Sequence, residues 1–544
     1  MRIPSIAAVL ALLLAQATAV AAASEGVAVL VRRDAPDALE ISYALPPACT
    51  RLAFLKDGAG AGTIRSRWQS LNGATATADT LARGAATTTA IATTLRFRVP
   101  VTSDKVTGYP GSFPVGEAIY AHMTNYAVGS QCGPVRYRFA AAGSIATARA
   151  LFDGEAPADG DAPALLFLTR RPRDGGLDYI DPALSAAAAA QIHRVAGETA
   201  ALLRKRLPGM EFKRPILAAA SASEPGGPNI GGSAGEILLF SLFNWPRDPQ
   251  PEHTRLMTKL VAHEMSHRFQ LRDAVDPYPD ARLIHEGIGE FLRWRVSLEQ
   301  GWLTPEQAGL EVDEALARCM LVTGERPWRA LPQREIGANY LEYSCGLPML
   351  VYALAAREGG GSGYARIEAF YRQLGRGIQP DFAVAMECGH AAACTPAMLP
   401  ALLSGPGAMR TQWVAKLDAS ALARRQAPRQ SQLNAQTLQA ITALVKEDCN
   451  SISITPTATS VLVDTLPACR TIRRDVVVER VEGVSLFGDA AALPAMVAAC
   501  RARGAVRLGM KDGSALAMPC RTPYQPLPYF YAADMQKIMQ RLQP

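Results

Sequence analysis

The chain has 544 residues, of which 49% are hydrophobic and 19% charged, a composition typical of globular proteins that bury a core rather than of disordered chains. This length predicts about two to four domains. The net charge of +7 is spread thinly and forms no block of like charges, so charge offers no case for nucleic-acid binding.

The N-terminus has the pattern of a secretory signal peptide. An apolar run over 6–14 is followed by small-residue cleavage patterns that end at Ala19, Ala21 or Ala23. The run is too short to span a bilayer, and no later stretch reaches 18 uninterrupted apolar residues. We therefore predict that 1–23 is removed and that the mature chain is soluble and exported, to a periplasm or to the medium. The alanine- and arginine-rich composition suggests a bacterial protein.

Cysteine usage agrees with export, because an even number of cysteines in an exported chain predicts disulfides. None of them forms a C-x-x-C pair, which argues against a zinc–thiolate site. We predict sequential pairing, which keeps each bridge within one predicted domain; buried free thiols are the alternative. The ten cysteines are Cys49, Cys132, Cys319, Cys345, Cys388, Cys394, Cys449, Cys469, Cys500 and Cys520.

Short alternating segments dominate residues 24–150. They read "GVAVLVRR", "ALEISYAL", "TTLRFRVPV" and "VRYRFAAAG", with threonine- and glycine-rich connectors between them. Alternation of apolar and polar residues is typical of half-buried strands. The segment 24–150 is therefore predicted to be an antiparallel β domain.

The pattern changes over 155–425. Predicted strands "APALLFLTRRP", "FKRPILAAAS" and "ILLFSLF" accompany one long helix, "DPALSAAAAAQIHRVAGETAALLRKRLPG", which begins with Asp-Pro and ends at Pro-Gly. From about 250 onward the periodicity predicts mainly helices. Strands that lead into a helical half favour a two-part enzyme domain.

The C-terminal part, 435–544, follows a polar, glutamine-rich bridge, "ARRQAPRQSQLNAQ". Strands are predicted in "SISITP", "TSVLVD", "VVVERVEG" and "AVRLGMKDGSALAMP", and a helix near 490–503. This combination predicts a small α+β domain.

The most informative stretch is "LVAHEMSHRF". His263 and His267 are four residues apart and share one face of a predicted helix, and H-E-x-x-H on a helix is a zinc-binding signature with Glu264 as general base. Glu286 follows His267 after eighteen residues, in "RLIHEGIGEFLRW", and is predicted to be the third ligand. Two histidines and one glutamate leave a zinc position open for water. Glu290, one turn later, is predicted to orient a ligand histidine; the alternative is that both glutamates are exposed helix carboxylates.

This pattern resembles the gluzincin metallopeptidases, and its spacing is similar to that of the aminopeptidase N family, whose third ligand lies in an "N-E-G-F-A" stretch. His285 stands here before Glu286, and we predict that it is a helix-face residue rather than a fourth ligand.

A second segment, "NYLEYSCGLPMLVYAL", resembles the "Y-x-K-G" segment of the same family. The family's tyrosine hydrogen-bonds the tetrahedral intermediate, which implies that role for Tyr343, with Gly346 as the matching glycine. Cys345 replaces the lysine. Tyr340 is a rival candidate, and packing of Tyr343 in the core is the other alternative.

The family also carries a "G-x-M-E-N" strand, whose glutamate holds the free amine of the substrate. The nearest stretch is "GGSAGEILLF", in which Gly232 and Glu236 are candidate substrate-binding residues, but the methionine and the asparagine are absent. A glycine-rich turn into a strand is an equally good interpretation. Exopeptidase activity therefore does not follow from the sequence.

The order of segments resembles the glycyl aminopeptidase family, which has a C-terminal PDZ domain. The resemblance implies a multidomain α+β chain. Its parts would be an N-terminal antiparallel β domain, a thermolysin-like α/β zincin catalytic domain and a small PDZ-like C-terminal domain.

The predicted function is that of an exported zinc metallopeptidase with one Zn²⁺ per chain, acting on peptides or proteins, with a zinc-bound water activated by Glu264. One alternative is a non-catalytic protein that binds peptides by strand addition on a zincin scaffold. Another is a zinc hydrolase of non-peptide substrates. The sequence predicts no nucleic-acid partner and no transmembrane segment in the mature chain, and it does not determine the oligomeric state.

Overall fold

A computed structural model describes most of the chain. The predicted signal peptide, 1–23, lies outside the described residues and stays a prediction. The described ranges are 26–55, 59–83, 94–102, 112–147, 150–158, 164–171, 178–222, 228–234, 237–324, 326–357, 361–389, 394–450, 454–465 and 468–543.

The chain divides into two compact units. The first comprises 1–191 and 214–254, and the second comprises 192–213 and 255–544. The three predicted domain segments stay a prediction.

The described part of the first unit includes the short helix α1 (Ala59–Arg65) and the strands of the N-terminal half. The strands are β1 (Val27–Ala35), β2 (Ala38–Ala44), β3 (Arg51–Ala53), β4 (Gln69–Ser70), β5 (Thr75–Ala76), β6 (Thr80–Ala82), β7 (Thr94–Pro100), β8 (Phe113–Val115), β9 (Ala118–His122), β10 (Val135–Thr147), β11 (Leu151–Ala158), β12 (Ala164–Phe167), β13 (Tyr179–Ile180), β14 (Ile216–Ala222), β15 (Asn229–Ala234) and β16 (Ile237–Phe243).

The main sheet of this unit has the order β4-β7-β2-β1-β10-β12-β9-β8, with β11 paired to β10. The predicted antiparallel arrangement is confirmed at most strand pairs and is wrong at one, because β1 and β10 run parallel, with Val29 opposite Tyr137. Alternation of apolar and polar residues indicates that one face of a strand is buried, but it does not indicate the direction in which the strand runs. The long stretch between the two strands supplies the crossover that a parallel pair needs.

A smaller sheet follows in the same unit, in the order β13-β14-β16-β15. Strands β14 and β16 run parallel and are almost wholly buried, which explains their continuous apolar runs. Strand β15 lies at the edge and pairs antiparallel with β16, Gly232 opposite Phe240. A third sheet has the order β3-β6-β5.

The second unit is mainly helical, as predicted for the region from about 250. Helices α2 and α3 each begin in the first unit and end in the second. The helices are α2 (Ala186–Arg206), α3 (Pro251–Ser266), α4 (Arg272–Val275), α5 (Ala281–Glu299), α6 (Pro305–Thr323), α7 (Gln333–Ala338), α8 (Leu341–Ala356), α9 (Gly363–Gly375), α10 (Met398–Ser404), α11 (Met409–Ser420), α12 (Gln430–Cys449), α13 (Ala492–Arg503) and α14 (Met535–Arg541).

Helix α8 runs through the middle of this unit. All its residues are buried except Tyr343 and Ala356, as expected of a helix that is apolar on every side. It packs against α5 and α6 around a core that includes Phe291, Leu316 and Tyr352.

The predicted polar bridge consists largely of regular secondary structure. Residues of "ARRQAPRQSQLNAQ" form strand β17 (Ala423–Gln426) and the first turns of α12. Strand β17 pairs with β24 (Phe530–Ala533), close to the C-terminus. A pairing partner more than 100 residues away gives no local sequence signal, so the polar composition was misleading.

The C-terminal part is α+β, as predicted. Five of its strands form a sheet in the order β18-β19-β20-β22-β23, β21 pairs with β20, and α12 and α13 pack on the same core. The likeness to a PDZ domain stays a prediction. The strands are β18 (Ile454–Pro456), β19 (Val461–Val463), β20 (Val476–Val481), β21 (Val484–Ser485), β22 (Ala505–Met510) and β23 (Ala515–Pro519).

The predicted sequential disulfides are all confirmed, and the alternative of free thiols is wrong. The bridges are Cys49–Cys132, Cys319–Cys345, Cys388–Cys394, Cys449–Cys469 and Cys500–Cys520. Among the described residues, no helix has both the length and the apolar character needed to cross a membrane.

Candidate active site

Helix α3 and the 3₁₀ turn that follows it present two imidazoles on the same side. The helix begins at Pro251, where the missing N–H costs nothing, and it continues into a short 3₁₀ turn that starts at His267. The four-residue spacing brings Nε2 of His263 to 2.9 Å from Nε2 of His267. Both side chains are buried.

Glu286 reaches the same point from α5. Its Oε2 atom lies 3.2 Å from Nε2 of His263 and 3.2 Å from Nε2 of His267. Four ligands placed tetrahedrally at about 2.0–2.2 Å from zinc are roughly 3.3 Å apart. The donor type and the separations of these three predicted ligands therefore fit a zinc ion.

The charge around the three donors also favours a cation. Burial lowers the pKa of His263, but the neighbouring carboxylates of Glu286 and Glu290 outweigh burial and raise this pKa to about 10. Burial raises the pKa of Glu286, but His267 and His263 hold it well below its usual range. His263 and Glu286 are thus each stabilised in the charged form by their neighbours.

Glu290 lies beside the first of the two histidines. Its Oε1 atom is 2.8 Å from Nδ1 of His263, and its Oε2 atom accepts a hydrogen bond of 2.7 Å from Arg293. Arg293 is completely buried and also donates to Glu311. We did not predict Arg293 from the sequence; an arginine three residues after a buried glutamate on the same helix face is the signal that could have found it.

Glu264 is buried next to the ligands. Burial raises the pKa of its carboxyl, and the charges of His263 and His267 oppose the rise. A raised pKa makes this carboxylate a stronger base than an exposed glutamate.

The two glycines of "EGIGE" have separate structural roles. A Cβ at Gly289 would lie 2.9 Å from Cε1 of His267 and 3.2 Å from Cε1 of His263, so this helical turn leaves room for both imidazoles. A Cβ at Gly287 would lie 3.0 Å from Cα of Gly346, on α8.

The structure separates the two candidate tyrosines. The ring of Tyr343 lies 5.4 Å from that of His263, and burial, followed by the charges of Glu286 and Glu264, raises the pKa of its phenol above the usual range. Tyr340 is 63% exposed and adopts a left-handed conformation, with φ of 52°. Tyr343 is therefore the tyrosine that adjoins the ligand cluster.

His285 is not one of the three clustered donors. Its ring stacks on that of His267 with centroids 4.2 Å apart. Burial and then the neighbouring His267 lower the pKa of His285 well below its usual value, which favours a neutral ring.

Gln270 is a further residue that we did not predict. Its Oε1 atom lies 3.1 Å from Nδ1 of His267, and its Nε2 atom donates a 3.1 Å hydrogen bond to the backbone carbonyl of His285. Gln270 lies at the end of the 3₁₀ turn in an extended conformation, where helix periodicity has no bearing on where its side chain points.

The candidate substrate residues are only partly described. Glu236 lies outside the described residues, and Gly232 lies in the edge strand β15. Strand β15 covers Asn229–Ala234, where a glycine-rich turn was the other interpretation. Contact of Gly232 or Glu236 with substrate stays a prediction.

Comparison with known proteins shows similarity in fold. No protein-family model matches the chain, and no curated protein matches its sequence. An aminopeptidase N family protein from Idiomarina loihiensis, known from its crystal structure, superposes with a TM-score of 0.51 at 10% identity, covering 95% of this chain and 100% of the other. The fold of the chain thus resembles that of an aminopeptidase N family protein, as the motif predicted.

An M1 zinc metallopeptidase from Deinococcus radiodurans is similar over 66% of this chain and 87% of its own, at 16% identity. Its TM-score is 0.30, so it adds nothing to the assignment of the fold.

Proposed function

We propose that the chain is an exported zinc metallopeptidase that hydrolyses peptide bonds. The observation that carries this proposal is the convergence of His263, His267 and Glu286 on one point, with Glu264 buried beside them. Two histidines and a glutamate are a donor set that catalytic zinc sites use, because it leaves a position for a reacting molecule. The aminopeptidase N-like fold supports the same function.

The zinc ion, when bound, would activate water and polarise the scissile carbonyl. Glu264 takes the proton of the attacking water and passes it to the leaving amine. Its burial supports this role, because a carboxylate removed from solvent holds a proton more readily than an exposed one.

Tyr343 donates its phenolic hydrogen to the oxygen that becomes negative during attack. A phenol whose pKa is raised keeps its proton, as a hydrogen-bond donor must. The Cys319–Cys345 bridge ties α8 to α6 two residues after Tyr343. Cysteine at this position, where the resembling family has lysine, thus anchors the helix that carries the tyrosine.

Glu290 orients His263 through Nδ1 and leaves Nε2 free to bind the ion. Arg293 in turn donates a hydrogen bond to Glu290. Burial raises the pKa of that carboxyl, but its cationic neighbours, Arg293 foremost, outweigh burial and hold this pKa well below its usual range. A continuous chain of contacts thus runs from the candidate ligand His263 through Glu290 to the buried Arg293.

The decisive experiment replaces the proposed base without touching the ligands. Glu264→Gln keeps the size and burial of the side chain, and we expect it to bind zinc like the wild type and to lose hydrolysis of a mixed peptide library, read by mass spectrometry. Glu252→Gln is the matched control, since Glu252 is exposed in the first turn of the same helix. Robust activity in Glu264→Gln would contradict the proposal.

The same library distinguishes the modes of cleavage. Removal of single residues from free N-termini, and none from acetylated peptides, would establish an aminopeptidase and make Glu236→Gln the next variant. Internal cuts would establish an endopeptidase. Zinc binding without any cleavage would favour a peptide-binding protein or a hydrolase of other substrates.

Export is part of the proposal and is supported by two observations. The leader-like pattern over 1–23 precedes a chain with five disulfides, which persist in oxidising compartments. Cell fractionation of a bacterium that expresses the full chain, with N-terminal sequencing of the product, tests it. A product that starts at residue 1 and stays in the cytoplasm would contradict export.

A further inference from the structure

Gln270 connects the candidate ligand His267 to the backbone next to a second candidate ligand, Glu286. Its side-chain amide lies between the imidazole of His267 and the backbone carbonyl of His285, the residue immediately before Glu286. It therefore links the 3₁₀ turn that follows α3 to the second turn of α5.

The polarity of the two contacts is determined by the carbonyl. A backbone carbonyl oxygen only accepts hydrogen bonds, so the group of Gln270 that faces His285 must be the NH₂. The amide oxygen therefore faces Nδ1 of His267 and can only accept, which places the proton of the ring on Nδ1. Nε2 is then left with its lone pair, directed at Nε2 of His263 and Oε2 of Glu286.

We propose that Gln270 is a positioning residue that sets the tautomer and the ring orientation of His267 for metal binding. This inference rests on the proposed zinc site. Histidine ligands usually donate their second N–H to a carboxylate, a backbone carbonyl or water, and such partners strengthen metal binding. Here the two histidines differ: Glu290 contacts His263 with a charged group, and Gln270 contacts His267 with a neutral amide that is itself held by the chain.

Stacking restrains the same ring from another side. The imidazole of His285 lies nearly parallel to that of His267, with an interplanar angle of 18°. Stacking restricts tilt of the ring plane but leaves the ring free to flip between its two edges. The hydrogen bond to Gln270 selects the orientation in which Nδ1 of His267 faces the amide and Nε2 faces the other two donors.

The test compares two substitutions that separate the contacts of Gln270. Gln270→Leu removes both contacts, and we expect zinc affinity, measured by competition with a chelator, to fall about 10- to 100-fold. Gln270→Glu keeps an acceptor for Nδ1–H of His267 and loses the donor to His285. We expect it to retain most of the zinc affinity while unfolding at lower urea concentration than the wild type.

A matched control and a direct readout complete the test. Gln300→Leu changes an exposed glutamine at the C-terminal cap of α5 and should leave zinc affinity unchanged. Nitrogen-15 NMR of the zinc-free protein, labelled at its seven histidines, should show a ring protonated at Nδ1 in wild type and Gln270→Glu that changes in Gln270→Leu.

The outcomes separate this inference from the proposed function. Wild-type zinc affinity in Gln270→Leu, or equal losses in Gln270→Leu and Gln270→Glu, would overturn the positioning role while leaving the zinc peptidase intact. A wild-type protein that binds no zinc would instead remove the proposed function, and the inference with it.

Discussion

Gly287 and Gly346 face each other where helices α5 and α8 cross. A Cβ placed on Gly346 would lie 2.5 Å from Cα of Gly287, closer than side-chain carbons approach other atoms. The two backbones can approach this far only because both residues are glycine. Since Glu286 precedes Gly287, and Tyr343 lies one helical turn before Gly346, this contact determines how close the tyrosine comes to the third ligand.

Gly346→Ala is expected to push the two helices apart. Alanine favours a helix interior by about 1 kcal/mol over glycine, but the overlap with backbone atoms should outweigh this gain and lower the free energy of unfolding by about 1–3 kcal/mol. Activity should fall as Tyr343 moves, and urea unfolding together with kinetics would measure both. Gly197→Ala is the control, because a Cβ at Gly197 in α2 meets no atom within 4 Å; equal stability of the two variants would contradict the steric explanation.

Gly289→Ala should act on the metal rather than on the helix crossing. The new methyl group would lie 2.9 Å from Cε1 of His267 and force the ring away from the position at which its Nε2 meets the other donors. We expect weaker zinc binding in a chelator competition, with helical content retained by circular dichroism. Unchanged zinc affinity would show that the ring can move without loss of the site.

Tyr343→Phe should lower kcat about 10²–10³-fold and leave zinc affinity unchanged. The change removes a single hydrogen-bond donor, and losing one such donor to a developing oxyanion costs about 2.7–4 kcal/mol. Tyr340→Phe is the matched control and should behave like the wild type, because that ring is largely exposed. The reverse result would assign the role to Tyr340.

Arg293→Met should destabilise the protein strongly. Arg293 is completely buried, and its loss leaves Glu290 without its strongest cationic partner. Removing one member of a buried ion pair typically costs about 3–5 kcal/mol. Arg194→Met, which breaks the exposed pair with Glu198, should cost under about 1 kcal/mol. Thermal unfolding of both variants tests this prediction, and similar losses would contradict it.

Replacing Cys319 and Cys345 together by alanine should affect activity as well as stability. The two cysteines are 26 residues apart, and loop-closure entropy predicts that losing the bridge lowers the free energy of unfolding by about 3.5 kcal/mol. For Cys388 and Cys394, which are 6 residues apart, the same calculation predicts a loss of about 2.2 kcal/mol. Because the first bridge anchors α8 beside Tyr343, we expect kcat to fall only in the first double variant. Measuring kcat for peptide hydrolysis by both double variants, under oxidising conditions and well below their melting temperatures, would test this prediction.

Local periodicity predicted most helices of the second unit, but it missed a strand in that unit and the direction of one strand pair in the first unit. The polar stretch that begins at Ala423 forms a strand and a helix, because its pairing partner lies near the C-terminus. Strands β1 and β10 run parallel, because the alternation of apolar residues is the same for either direction. Both errors concern contacts between distant segments, which leave no periodic trace in either segment.

The sequence by itself determined the candidate ligands, and it favoured sequential disulfides without deciding their connectivity. His263 and His267 lie side by side because of their spacing, and the structure shows that the cysteines pair in sequential order. Only the tertiary structure decided that Tyr343 and not Tyr340 adjoins the ligands, and that Gln270 holds the second histidine. The physical reason is that helix geometry alone decides which residues of one helix lie side by side. How closely two helices approach depends on tertiary packing. The same is true of the direction of a side chain that follows the end of a helix.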